Sequence, residues 1–172
     1  MMINFEKYDL IKSNESNELF ELQQALLADK TLLLEEKVTR LAILLITNPI
    51  GDYRTAINLL NDYVVESSSS SFQVLVSGAF MNVLCSLIEP NPFIPRLNEI
   101  YSNCNLEQKS IIRFLQAIDI DDKCDGDESE INKVKSLLSE AIAMFDGFVY
   151  AYYRLALISE RKVAKGLLKK AL

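Results

Sequence analysis

The chain has 172 residues, 49% of them hydrophobic and 24% charged, with five glycines and four prolines. That length suits one domain or one run of helical repeats, and the scarcity of turn residues argues against a β-sandwich. The absence of histidine excludes Ser-His-Asp and Cys-His nucleophile systems and imidazole metal sites, and a formal net charge of −6 argues against nucleic-acid binding, which draws affinity from neutralising phosphates.

Residues 1–7 show no basic cluster followed by an apolar run, so no signal peptide is expected and the cytoplasm is the expected compartment. Leu19, Leu22, Leu26 and Leu27 recur at intervals of three and four, which predicts an amphipathic helix capped by Ser16 or Asn17. A second helix is expected over 31–47, with Leu34, Val38, Leu41, Ala42 and Leu45 on one face. Asn48-Pro49-Ile50-Gly51-Asp52 ends it, because proline cannot continue the hydrogen-bond ladder. A third helix follows through Ala56, Leu59, Leu60 and Tyr63, and the five serines at 67–71 read as a loop with capping capacity.

From Ser67 to Ile88 no residue is charged over 22 positions. That length reaches bilayer thickness, but Gln73, Ser77, Asn82 and Ser86 recur through the run and neither end carries an aromatic belt or basic flank. The expectation is a central helix buried on most sides, with no membrane contact. Pro90, Pro92 and Pro95 delimit the next loop, and Pro92 or Pro95 suits the first turn of a helix carrying Leu97, Ile100 and Tyr101. Further helices are expected over 106–120, 129–145, 148–159 and from 160 onward. The reading is all-α: nine or ten helices in one domain over 1–172, with loops at 48–52, 66–71, 89–95 and 121–128 and no β-sheet.

Cys85, Cys104 and Cys124 form no CxxC pair and read as reduced, partly buried thiols. The stretch from Asp119 to Glu130 places acids at positions 1, 3, 9 and 12 of a calcium-loop count. Lys123 stands at the fifth position, however, and Cys124 at the sixth, where the sharp turn needs glycine. An acidic loop favouring the start of the next helix is the expectation, without metal, cofactor or catalytic group.

One frame repeats. Val134-Lys135-Ser136-Leu137-Leu138-Ser139-Glu140-Ala141-Ile142 lines up with Ala164-Lys165-Gly166-Leu167-Leu168-Lys169-Lys170-Ala171-Leu172, and Ala56-Ile57-Asn58-Leu59-Leu60-Asn61-Asp62-Tyr63 shares the pattern. Offsets 0, 3, 4 and 7 describe one helix stripe headed by a small residue, which permits close helix approach. Gly51-Asp52-Tyr53-Arg54-Thr55-Ala56 and the passage from Ala141 to Ala151-Tyr152-Tyr153-Arg154-Leu155-Ala156 resemble tetratricopeptide (TPR) repeats over 51–84 and 131–172. Asp146 and Ser68 stand where that family usually has proline, and residues 90–130 fit no repeat frame. The resemblance implies stacked antiparallel helix hairpins and a non-enzymatic role in binding a protein or peptide partner, as an adaptor. It also implies that the first helix of each pair faces the bound segment. Phe72, Asn82, Tyr150, Tyr153, Arg154 and Leu157 are the candidate partner-binding residues, accompanied by Leu75 and Ala79.

Charge is distributed unevenly. Residues 147–172 hold six basic groups against Glu160 alone, while the other 146 hold twelve basic and twenty-three acidic, a net of −11. The basic last helix carries an apolar flank from Val163 to Ala171 that a second copy would cover, so a homo-oligomer through this helix is one expectation. The acidic body supports an alternative, a small immunity-type inhibitor that covers a basic nuclease toxin.

Overall fold

A computed structural model describes residues 3–8, 10–12, 16–47, 52–67, 71–85 and 88–171. The expected break at Asn48 to Gly51, the middle serines of 67–71, Ser86 and Leu172 lie outside the described residues. Among the described residues there is no strand, and nine α-helices follow in order. They are α1 (Asn17–Ala28), α2 (Leu34–Thr47), α3 (Tyr53–Ser67), α4 (Phe72–Cys85), α5 (Phe93–Ile100), α6 (Leu106–Asp121), α7 (Glu128–Met144), α8 (Val149–Leu157) and α9 (Arg161–Ala171).

Local chemistry sets the helix starts. Ser16 Oγ accepts from Leu19 N at 3.4 Å, and Asp52 Oδ1 accepts from Thr55 N at 2.9 Å. Asn105 and Gln108 bond reciprocally at the head of α6, at 2.8 and 3.0 Å. The expected loop at 89–95 is shorter than its prolines suggest, because α5 begins at Phe93. Pro95 falls in the first turn, where a missing N–H leaves no bond unmade.

Residues Met1–Phe93 form one compact unit and Ile94–Leu172 another. In the first, α2 pairs with α3, α4 packs on both helices, and Val38, Leu41, Ala42 and Leu45 are all buried as the periodicity predicts. In α1 the burial differs from the leucine stripe: Leu22 is exposed, and the buried residue is Gln23. α4 is also less enclosed than expected. Val74, Leu75, Gly78, Ala79, Met81 and Asn82 are buried, but Phe80 and Leu84 face outward. At Gly78 the ring of Phe93 lies where a side chain would begin; a Cβ there would stand 2.4 Å from Phe93 Cε1.

The leading segment lies against this unit without forming an α-helix. Tyr8 OH donates to Asp62 Oδ2 on α3 at 2.8 Å. Burial, then the Asp62 bond, push the Tyr8 phenol from 10.0 up to about 12. A raised folded-state value means that this stabilisation is complete below pH 10.0 and disappears as pH rises towards about 12. In a tyrosinate absorbance titration Tyr8→Phe should therefore remove absorbance from the late, high-pH part of the curve; a loss confined to the part near pH 10.0 would refute the contact.

In the second unit α6 pairs with α7, α7 with α8, and α8 with α9. Ala117, Val134, Leu138, Ala141, Ala151 and Leu155 form the core, with Phe114, Phe148 and Leu167 packed around it. α6 lies in the stretch for which no repeat frame was expected, yet it pairs with α7, which carries the expected stripe. Its close approach runs through Ser110, fully buried, whose hydroxyl donates to Ala141 O at 2.8 Å. The repeated stripe falls on α3, α7 and α9, the second helix of the pairs α2–α3, α6–α7 and α8–α9. Its members are buried in α3, buried or half-buried in α7, and only half-covered in α9, where Leu168 is 40% exposed.

The acidic segment between α6 and α7 acts at the helix end. Asp127 Oδ1 accepts from Ser129 N at 2.7 Å and Glu130 N at 3.4 Å, capping α7. Asp127→Ala should lower stability by about 1 kcal/mol in urea unfolding followed by circular dichroism; no change would remove the cap from the account of this helix.

Candidate interaction surface

α8 is nine residues long and divides cleanly. Ala151, Tyr152, Leu155 and Ala156 are buried, while Val149, Tyr150, Tyr153 and Leu157 are 48%, 70%, 49% and 59% exposed. At 100° per residue these four share one face. The result is an outward stripe of two tyrosines and two aliphatic residues with no charge in it, on a helix whose other face is core. Exposed apolar residues are ordinary singly; four on one short helix face form a patch.

The helix is held from behind. Phe148 leads into it with its ring 4.9 Å from that of Phe114 and 6.4 Å from that of Phe145. The hydroxyl of Tyr152 donates to Asp146, which raises the phenol's pKa, and Lys170 of α9 lies 5.7 Å from the Tyr152 ring centroid. Arg154, expected to meet a partner, donates to Asp121 at the end of α6 and is half-buried.

The other candidates divide. Tyr150, Tyr153 and Leu157 stand together on the exposed stripe. Asn82 is buried, and its amide is occupied within the first unit: Nδ2 donates to Ile88 O at 2.9 Å and Oδ1 accepts from Ile88 N at 3.0 Å. It holds a loop rather than presenting a ligand. Leu75 and Ala79 are fully buried, and Phe72 is half-buried at the first residue of α4. The expected face on α4 is therefore largely core. Val149 belongs to the α8 stripe and was not anticipated, although its spacing of four from Tyr153 carried the signal.

A groove of about 340 Å³ between α5, α6 and α7 is lined in part by Asn98, Arg113, Gln116, Asp119 and Lys133. Its polar groups largely satisfy one another. Arg113 Nη1 donates to Gln116 at 3.0 Å, Asn98 accepts from Gln116, and Asp119 pairs with Lys123 at 3.2 Å, while the buried Arg113 Nε lies 2.9 Å from Glu140 as an ion pair without hydrogen-bond geometry. The thiols of Cys85 and Cys104 are pushed up by burial, away from the reactive thiolate. Among the described residues no cluster of three metal-ligating side chains occurs, and no helix is long and apolar enough to cross a membrane.

No protein-family model matches the chain, and no curated protein matches it in sequence. Among solved structures it is similar to one titled "MamA RS-1 ArsTM double mutant", a TPR-like protein. The TM-score is 0.62 at 13% identity, covering 91% of this chain and 83% of that one. The fold is TPR-like and helical.

Proposed function

We propose, from this fold, that the chain is a non-enzymatic protein–protein interaction module that docks a partner protein or peptide on the outward face of α8. The observation that carries the reading is the uncharged stripe of Val149, Tyr150, Tyr153 and Leu157, set on a helix immobilised by core packing and by the bonds of Tyr152 and Arg154. Tyrosine offers a large contact area with a polar tip and few rotatable bonds, which suits an interface anchor. A preformed surface also loses little conformational freedom on association. A TPR-like fold supports protein partners in general. The test is affinity capture from the native host with the wild-type chain and with Tyr153→Asp. A partner present with the first and absent with the second supports the reading, whereas identical recoveries would overturn the α8 surface.

A further inference from the structure

Ile3 and Ile11, on either side of a 3-10 turn over Phe5–Lys7, are buried to 5% and 3% exposure. The main chain of Ile11 is held in both directions by one side chain: Gln23 of α1, 2% exposed, accepts from Ile11 N at 3.0 Å and donates to Ile11 O at 3.1 Å. Lys7 Nζ lies 2.9 Å from Asp62 and 3.1 Å from Glu66, which stand one turn apart on α3, and Asp62 also accepts from Tyr8. A buried amide that bonds to backbone, two aliphatic anchors and an acidic pair facing a basic–aromatic dipeptide are the parts of a peptide-recognition site.

We propose that α1 and α3 form a binding site for a peptide segment, which the chain fills with its own residues 3–8 and 10–12 and which accepts a segment of another protein with the same chemistry. The incoming segment carries an aliphatic residue, a basic–aromatic pair and a second aliphatic residue at the spacing of Ile3, Lys7, Tyr8 and Ile11. Gln23 bonds to main chain, so it accepts any residue at that point, while Asp62 and Glu66 select for the positive charge. The internal occupant is replaceable because its polar hold is half-exposed: the side chains of Lys7, Asp62 and Glu66 are 39%, 37% and 42% accessible, so the pairs are open to solvent and weaken in salt. No residue of this site belongs to the α8 stripe, so the two readings stand or fall separately.

The probe is a fluorescent peptide with the sequence of residues 3–12, titrated by anisotropy into the full-length chain. Lys7→Glu sets a third carboxylate beside Asp62 and Glu66 and loosens the internal segment while leaving α1 and α3 unchanged. The Lys7→Glu chain should bind the peptide about tenfold more tightly than wild type, a difference of about 1.4 kcal/mol, and adding Gln23→Ala should remove that gain. Equal binding to both chains, or none to a Lys7→Glu chain that keeps its helicity and melting temperature, overturns the proposal. So does a wild-type dimer with exchanged segments, which would make a second copy the occupant. Should Lys7→Glu fail to fold, amide exchange of Ile11 in the wild type decides: opening that is faster than global unfolding and accelerated by salt supports the site, and exchange only through global unfolding refutes it.

Discussion

Phe93→Ala lowers stability by about 3–5 kcal/mol in urea unfolding of the whole chain. Phe93 is 1% exposed, and its ring lies against the bare backbone of Gly78 in α4. Asn91, itself buried, holds the approach: Nδ2 donates to Ala79 O and Oδ1 accepts from Phe93 N, both at 3.2 Å. Gly78→Ala attacks the same contact from the other side. Its Cβ would fall within 2.4–2.6 Å of three ring atoms that have no exposed space to move into, at a cost of about 1–3 kcal/mol. Because both changes act on one contact, the double variant should be less unstable than the sum of the two singles. Additive losses, or a loss below about 1 kcal/mol for Phe93→Ala, would show that the ring and the glycine are not coupled.

The double variant Tyr150→Ala/Tyr153→Ala weakens partner binding by about 10²–10³-fold, taking roughly 2 kcal/mol for each anchor, with a melting temperature within a degree or two of wild type. The separation of effects follows from burial. Both tyrosines face outward, whereas their neighbour Tyr152 is 2% exposed and bonded to Asp146, so Tyr152→Ala should reduce stability first. Calorimetric titration with the captured partner, beside a thermal melt of each variant, checks both halves. Retained affinity in the double variant would move the binding surface elsewhere.

Most helices were legible in the sequence because burying one face at 3.6 residues per turn leaves a periodic trace. The stripe of α2 and the ends of α6, α7, α8 and α9 fall within a few residues of expectation for that reason. The exceptions share a cause. Gln23, Asn82, Asn91 and Ser110 are buried by bonds to main-chain atoms elsewhere in the chain, and a contact to backbone prints no pattern on the residue it meets. Thus Gln23 displaces Leu22 from the core, and Asn82, which looks like a surface amide on a charge-free helix, serves a loop instead. The α8 stripe was half legible. Alternation of small and aromatic residues from Val149 to Leu157 marks two faces, but only packing decides which of Tyr150, Tyr152 and Tyr153 turns inward. Asp62 and Glu66 offered one further clue: two acids on one helix face, without a cation one turn away in α3, invite a base from elsewhere.

The fastening of α8 from behind bears on rates. With Tyr152 tied to Asp146 and Arg154 tied to Asp121, the stripe has no rearrangement to complete before contact. Stopped-flow mixing with a partner should then give a single exponential whose rate rises linearly with concentration and never reaches a plateau, and graded substitutions along the stripe should shorten residence time while leaving encounter frequency nearly constant.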